Sequence, residues 1–253
     1  MLGHKTSTLY RGPCRWLYRL WGVPDINARQ KWSALWPYLH KLSEPLRLLD
    51  AGCGGGIWSL ELAARFPAWQ VIGLDKNPDA IQIATQAKER LGLANVSFIC
   101  DDFLTYQASE TYDLVLSVAS AHYLVSEGKG KELFCAFHSW LRPGGKLLLL
   151  GPRCRDEVPS LGWLPAPMSK LRDVFSERQL HLLCQDAEFS IEELRPAVFA
   201  LGTFAKQLSS LHRLVPVLVP LLYFLEWGLT TSERVPPFRR DGSAYWVLIA
   251  RRD

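Results

Sequence analysis

Leu48-Leu49-Asp50-Ala51-Gly52-Cys53-Gly54-Gly55-Gly56, residues 48–56, is the stretch on which the reading of this chain turns. An apolar run ends in an acidic residue, a cluster of glycines follows, and IWSLELAARF (57–66) then places apolar residues three and four apart, as a helix does. Glycines between a strand and a helix let the backbone turn sharply and approach a ligand with no Cβ in the way, while the helix N-terminus offers unpaired N–H groups. A nucleotide-type site is implied. A dinucleotide fingerprint, GxGxxG counted from Gly52, would need glycine at 57, where Ile57 stands. No Gly-Lys-Ser/Thr follows either, so a phosphate-binding P-loop is excluded.

Working outward, LRLLD (46–50), QVIGL (70–74), VSFIC (96–100), DLVLSV (113–118) and KLLLLG (146–151) are short apolar runs bounded by Gly, Pro, Asp or Asn. Between them PDAIQIATQAKERLGL (78–93) and GKELFCAFHSWL (130–141) carry helical periodicity. Asn77 is a natural N-cap, Pro78 suits the first helical position, and Gly92 can end that helix. Gly144-Gly145 after Pro143 reads as the turn into the fifth strand. Strands alternating with helices predict a doubly wound α/β domain with a mostly parallel sheet.

Beyond 151 a loop (152–167) leads to a helix over 169–186, a sixth strand in EFSIEELR, and a last strand in AYWVLIAR (244–251). The connection between these two strands, 198–243, is far longer than a hairpin needs and has Leu-rich segments broken at Pro216 and Pro220. It reads as an insertion. Residues 1–45, rich in Trp and Tyr, are expected to form a helical cap on the carboxyl edge of the sheet, with 46–253 as the main domain.

Composition narrows the function classes. With 48% hydrophobic and 21% charged residues among 253, the chain is ordinary for a globular domain. A net charge of +4 is far from the dense basic stripe of a nucleic-acid binder, so none is expected as a partner. The six cysteines include no CxxC pair, and neither a metal site nor a disulfide framework is expected. The N-terminus lacks the apolar core of a secretory signal, which points to the cytoplasm. LVPVLVPLLYFL (214–225) is shorter than the about 20 residues a spanning helix needs, but it suits peripheral contact with a membrane.

The motif LLDAGCGGG resembles the first motif of class I, Rossmann-like S-adenosylmethionine-dependent methyltransferases, in which apolar residues, an acidic residue and GxGxG follow one another. The resemblance runs in order over roughly 46–195 and 244–251, and it implies a seven-stranded sheet of order 3-2-1-4-5-7-6 with S-adenosyl-L-methionine as cofactor. It further implies that Asp50, Gly52, Cys53, Gly54 and Gly56 form the cofactor turn. Asp75, with Lys76 beside it, would bind the ribose hydroxyls, two of which a carboxylate can accept at once. Asp102 would meet the adenine amino group, Phe103 the ring, and Ser117 the methionine portion. Other assignments remain open: Asp50 as a cap of the turn and Asp75 as the start signal of the following helix.

Methyl transfer from a sulfonium is an in-line displacement and needs alignment more than a nucleophilic side chain. Where a base is used, His122 just after the fourth strand is the candidate, with Tyr123 as a wall of the acceptor site; a purely structural His122 is the alternative. The strand-four sequence SVAS differs from the NPPY type that holds planar amino groups, so DNA amino-methylation is not expected. Trp16, Tyr18, Trp21, Trp32 and Trp36 before the sheet, and Trp163, Phe199, Phe204, Tyr223, Phe224 and Trp227 after the fifth strand, point to an apolar or aromatic small-molecule acceptor, such as an isoprenoid, quinone, lipid-like compound or other natural product. The same aromatics are equally compatible with packing an enlarged cap. A non-catalytic binding module and a protein or RNA methyltransferase are the alternative functions.

Overall fold

Residues alternate between the two faces along each central strand, and two helical layers cover those faces. The computed structural model describes residues 26–42, 45–154, 175–198, 224, 225, 228 and 243–253. Among them, seven strands form one sheet: β1 (Arg47–Ala51), β2 (Gln70–Asp75), β3 (Val96–Cys100), β4 (Tyr112–Val118), β5 (Leu141–Pro152), β6 (Phe189–Ala197) and β7 (Tyr245–Arg252). The order is β3-β2-β1-β4-β5-β7-β6, as the resemblance implied. The first five strands pair in parallel; β7 runs antiparallel to both β5 and β6.

One face buries Leu49, Leu74, Val115, Leu147, Leu149 and Leu248 beneath α5 (Gly130–Trp140) and α6 (Glu177–Asp186). The other buries Leu48, Val71, Leu114, Leu148, Val247 and Ile249 beneath α1 (Ile26–Leu39), α2 (Ile57–Arg65) and α3 (Pro78–Leu91). The apolar runs are therefore continuous because both faces are covered. Trp32, Leu35 and Leu39 of α1 belong to this second layer, and Trp32 stacks on Trp36 and Trp58 at centroid distances of 5.4 and 5.3 Å. These two tryptophans pack the sheet face. The remainder of the expected cap, 1–25, lies outside the described residues, as do Trp163, Phe199, Phe204, Tyr223, Trp227 and nearly all of the insertion.

The caps of α3 are those the sequence specifies: Asn77 Oδ1 accepts the N–H of Asp79 and of Ala80, and Gly92 closes the helix at φ +65°. Asn95 ties the end of α2 to the start of β2 by donating from Nδ2 to the carbonyls of Ala63, Phe66 and Trp69 at 3.0, 3.2 and 3.0 Å. The fifth strand differs from its expected start. It begins at Leu141, opposite Tyr112, leaves the ladder through Pro143-Gly144-Gly145, and resumes at Lys146 opposite Leu114. The expected turn is an excursion within one strand, because Leu141 is an apolar partner for Tyr112 on the same face.

Candidate functional site

Parallel strands β1 and β4 are neighbours with their crossovers leaving in opposite directions, which opens a crevice at their carboxyl ends. The glycine turn lies there. The Gly52 and Cys53 amides both donate to the Leu74 carbonyl, at 2.8 and 3.0 Å, so the turn folds back over the end of β2. Gly52 has φ +81°, and a Cβ added to it would stand 2.2 Å from Ser120 Cβ. The turn is pressed against the segment after β4. That segment reverses at Ala119, φ +53°, which directs Ser120 Oγ to the Ala51 carbonyl at 2.8 Å. Gly54, by contrast, has nothing within 4 Å of an added Cβ. Space opens in front of it.

Asp75 closes one side of that space. Its Oδ2 accepts the Gly54 N–H at 2.8 Å and its Oδ1 the Asn77 N–H at 2.9 Å, which leaves further lone pairs on both oxygens. The Asp75 carbonyl accepts the Asp101 amide at 3.2 Å, and so the end of β3 is carried to the same rim. There Asp102 Oδ1 accepts the Leu104 N–H, and Lys76 Nζ lies 3.6 Å from its other oxygen. Phe103 packs edge-on to Phe137 and Trp140, and its ring tip would lie 3.2 Å from a Cβ on Gly52. Glycine turn, Asp75, Asp102 and Phe103 thus come together, as expected from the sequence. Residues 48–145, which hold this entire constellation, match the methyltransferase-domain family.

Over these residues the chain is similar to methyltransferase domains. S-adenosyl-L-methionine is the cofactor that this similarity implies, and the residues present fit that group: an open cradle at Gly54 and, beside it, a carboxylate with unspent lone pairs. The chain is 32% identical over 112 residues to a malonyl-[acyl-carrier protein] O-methyltransferase of Ilyobacter polytropus, covering 44% of this chain and 41% of that protein. It is 33% identical over 143 residues to a ribosomal RNA small subunit methyltransferase G of Hydrogenovibrio crunogenus, covering 56% and 60%. The chain therefore spans about two fifths to three fifths of the length of these curated relatives. Among solved structures, the geranyl diphosphate C-methyltransferase of Streptomyces coelicolor shares the fold at TM-score 0.62 with 15% identity, over 89% of this chain and 79% of that one.

Three expected cofactor residues are buried in the framework behind the turn. Cys53 is 5% exposed, with its Sγ 2.9 Å from where a Cβ on Gly73 would stand, so it serves the turn through its backbone. Ser117 is fully buried and its Oγ lies 2.9 Å from Ser120 Oγ, so it supports Ser120. Ser120 belongs to the run Ser117-Val118-Ala119-Ser120 that the resemblance sets along the methionine portion, but its bond to the Ala51 carbonyl was not foreseen. The signal for that bond was a small hydroxyl residue two positions past a strand end at the crevice. Asp50, 1% exposed, accepts the Ser59 hydroxyl at 2.6 Å and ties β1 to α2 directly behind the glycine turn. Ser59 was missed.

Burial pushes the Asp50 carboxyl up to about 7, with the Ser59 hydrogen bond opposing the shift and the nearby Asp75 charge adding to it. A carboxyl whose folded pKa lies above its unfolded value adds stability that is complete below about pH 4 and is lost as pH rises towards 7. Asp50→Asn, which cannot ionise, should gain on the wild type by no more than about 4 kcal/mol across that window and by nothing further above it. Denaturant unfolding at a series of pH values checks this; a difference that does not change with pH contradicts it.

The helix α4 (His122–Ser126), which carries the residues expected to meet the acceptor, starts immediately after the β4 segment. His122 is 6% exposed while Tyr123, its ring 4.1 Å away, is 57% exposed. Burial, and secondarily the Lys31 charge, hold His122 down at about 4, so the ring is neutral at pH 7. No helix among the described residues is long and apolar enough to cross a membrane.

Proposed function

We propose that this protein transfers the methyl group of S-adenosylmethionine to an apolar or aromatic small molecule by in-line displacement. The observation that carries the reading is the joint placement of the Gly54 cradle, Asp75 and Asp102 around one crevice, with the helix that opens at His122 following the end of β4. The cofactor supplies an electrophilic methyl on sulfonium. The chain's work is to bind, align and exclude water. Asp75 holds the ribose, with Lys76 steadying Asp102 against the adenine edge; Phe103 lies along the ring, and Asp50 and Ser117 keep the turn and Ser120 in place. His122 and Tyr123 are the residues proposed to touch the acceptor.

An apolar acceptor is supported by exposed Tyr123, and by Phe224 and Leu225 of the insertion, which are 60% and 45% exposed and equally suit peripheral contact with a membrane. Proteins of this fold include a geranyl diphosphate C-methyltransferase. The alternative, an RNA substrate, is favoured by the similarity to the ribosomal RNA methyltransferase G. Calorimetric titration with S-adenosylmethionine, followed by incubation with methyl-labelled cofactor and either the organic extract or the RNA of the source cells, separates these. Label should pass to the organic extract. No cofactor binding sinks the proposal, and label on RNA replaces it by the alternative.

A further inference from the structure

The helix that leaves the glycine turn begins at a residue with no side chain to cap it. Gly56 is the N-cap of α2 at φ +77° and makes no side-chain bond to the first turn. Asp50 holds Ser59 from behind, but Gly56 itself is fixed only by what packs against it. A Cβ added to Gly56 would stand 2.9 Å from Phe98 Cζ, 3.0 Å from Phe98 Cε1 and 2.9 Å from Ala84 Cβ. The end of the turn is therefore seated on the tip of the Phe98 ring and on α3.

Phe98 reaches the turn because of a gap in β2. It lies on β3 opposite Gly73, and paired residues of neighbouring strands face the same side of the sheet. A Cβ on Gly73 would stand 2.6 Å from Phe98 Cδ1, 2.7 Å from its Cε1 and 2.9 Å from Cys53 Sγ. Glycine inside an apolar strand weakens it and marks a close approach. Here the bare position lets the Phe98 ring lie across β2, with the Cys53 thiol filling the space beside it. The Gly56 N–H donates to the Cys53 carbonyl at 2.9 Å, so ring and thiol bear on the two ends of one closed loop, 53–56, whose middle is the open cradle at Gly54.

We propose that Phe98 is a positioning residue for the cofactor: its ring, laid across Gly73, props Gly56 and so holds the Gly54 cradle in its binding shape before the cofactor arrives. The inference rests on the S-adenosylmethionine reading above and adds a residue that acts through the turn. A loop already held in the bound shape does not have to be ordered by the ligand, and that saving appears as affinity. Within the ring, Cδ1 and Cε1 cover Gly73, while Cε1 and Cζ meet Gly56. Leucine at 98 keeps atoms at the δ position and loses those beyond it. Methionine restores the reach by one atom.

The test compares the full chain with Phe98→Leu and Phe98→Met at a temperature where circular dichroism shows all three folded. Titration calorimetry with S-adenosylmethionine should give an affinity about tenfold weaker in Phe98→Leu, and within about threefold of the wild type in Phe98→Met. In the unliganded proteins, deuterium uptake over 53–57 should be faster in Phe98→Leu than in the wild type, with uptake over β1 and β4 unchanged. Either wild-type affinity or wild-type uptake in Phe98→Leu overturns the assignment and leaves the cofactor reading standing. An affinity loss that Phe98→Met does not reduce also overturns it, as does faster uptake throughout the sheet or a failure of Phe98→Leu to fold, because the ring would then support the sheet in general and not the turn. A wild-type chain that does not bind S-adenosylmethionine overturns both.

Discussion

Asp75→Ala should weaken S-adenosylmethionine binding by a factor on the order of a hundred or more, with little change in thermal stability. The carboxylate does two jobs at one place. It accepts the Gly54 and Asn77 N–H groups, at 2.8 and 2.9 Å, and so fixes the glycine turn against the end of β2; its remaining lone pairs are those proposed for the ribose hydroxyls. Hydrogen bonds to a charged group are worth about 1.5–3 kcal/mol each, so losing two corresponds to a factor between about a hundred and ten thousand. The site is half exposed, and water can satisfy the freed amides, which is why the fold tolerates the change. Asp75→Asn keeps one accepting oxygen and should fall between, near tenfold. Titration calorimetry reads both; wild-type affinity in the alanine variant would place the ribose elsewhere.

Gly52→Ala should damage stability and binding together. The new Cβ would stand 2.2 Å from Ser120 Cβ and 2.5 Å from its Oγ. Ser120 cannot swing away without giving up its bonds to the Ala51 carbonyl and to Ser117. The left-handed backbone, φ +81°, adds about 1–2 kcal/mol for any residue with a Cβ, and overpacking adds about 1–3. Together these correspond to a fall in Tm of roughly 5–15 °C for a domain of this size. Gly54→Ala separates the two effects, because its Cβ meets nothing within 4 Å and only the backbone cost at φ +52° remains. Its melting point should fall less, while cofactor affinity drops because the Cβ occupies the cradle. Thermal unfolding with and without S-adenosylmethionine measures each, and equal behaviour of the two variants would refute the distinction drawn between them.

What the sequence revealed, and what it hid, follows from the range of the interactions involved. The strands were legible because both faces of each are covered, leaving unbroken apolar runs between turn residues, and Asn77-Pro78 and Gly92 announced α3 because capping is local. The sheet order came from the resemblance; no periodicity encodes which neighbour β7 takes. Asp75 and Asp102 were legible as strand-end acids; Ser120 was legible only as part of the strand-four run, and its bond to Ala51, 69 positions away, was not. Asp50 was read as a cofactor residue and proves to face Ser59 of α2, because the pleat turns it to the covered side of β1. Leu141 was taken for the end of a helix; its pairing with Tyr112 across an excursion is a tertiary fact.

The antiparallel seventh strand imposes an order of assembly. Strands β1 to β5 pair among residues 47–152, whereas among the described residues the backbone of β6 pairs in the sheet only with β7, which is made after it and lies between it and β5. During synthesis on the ribosome, the glycine turn, Asp75, Asp102 and Phe103 can therefore all be present while Leu147 to Leu150 still lack their β7 partner, which comes only with residues 245–252. A nascent chain at that stage is an aggregation hazard. It is also the stage at which early cofactor binding, by holding the first five strands together, would protect the protein from misfolding.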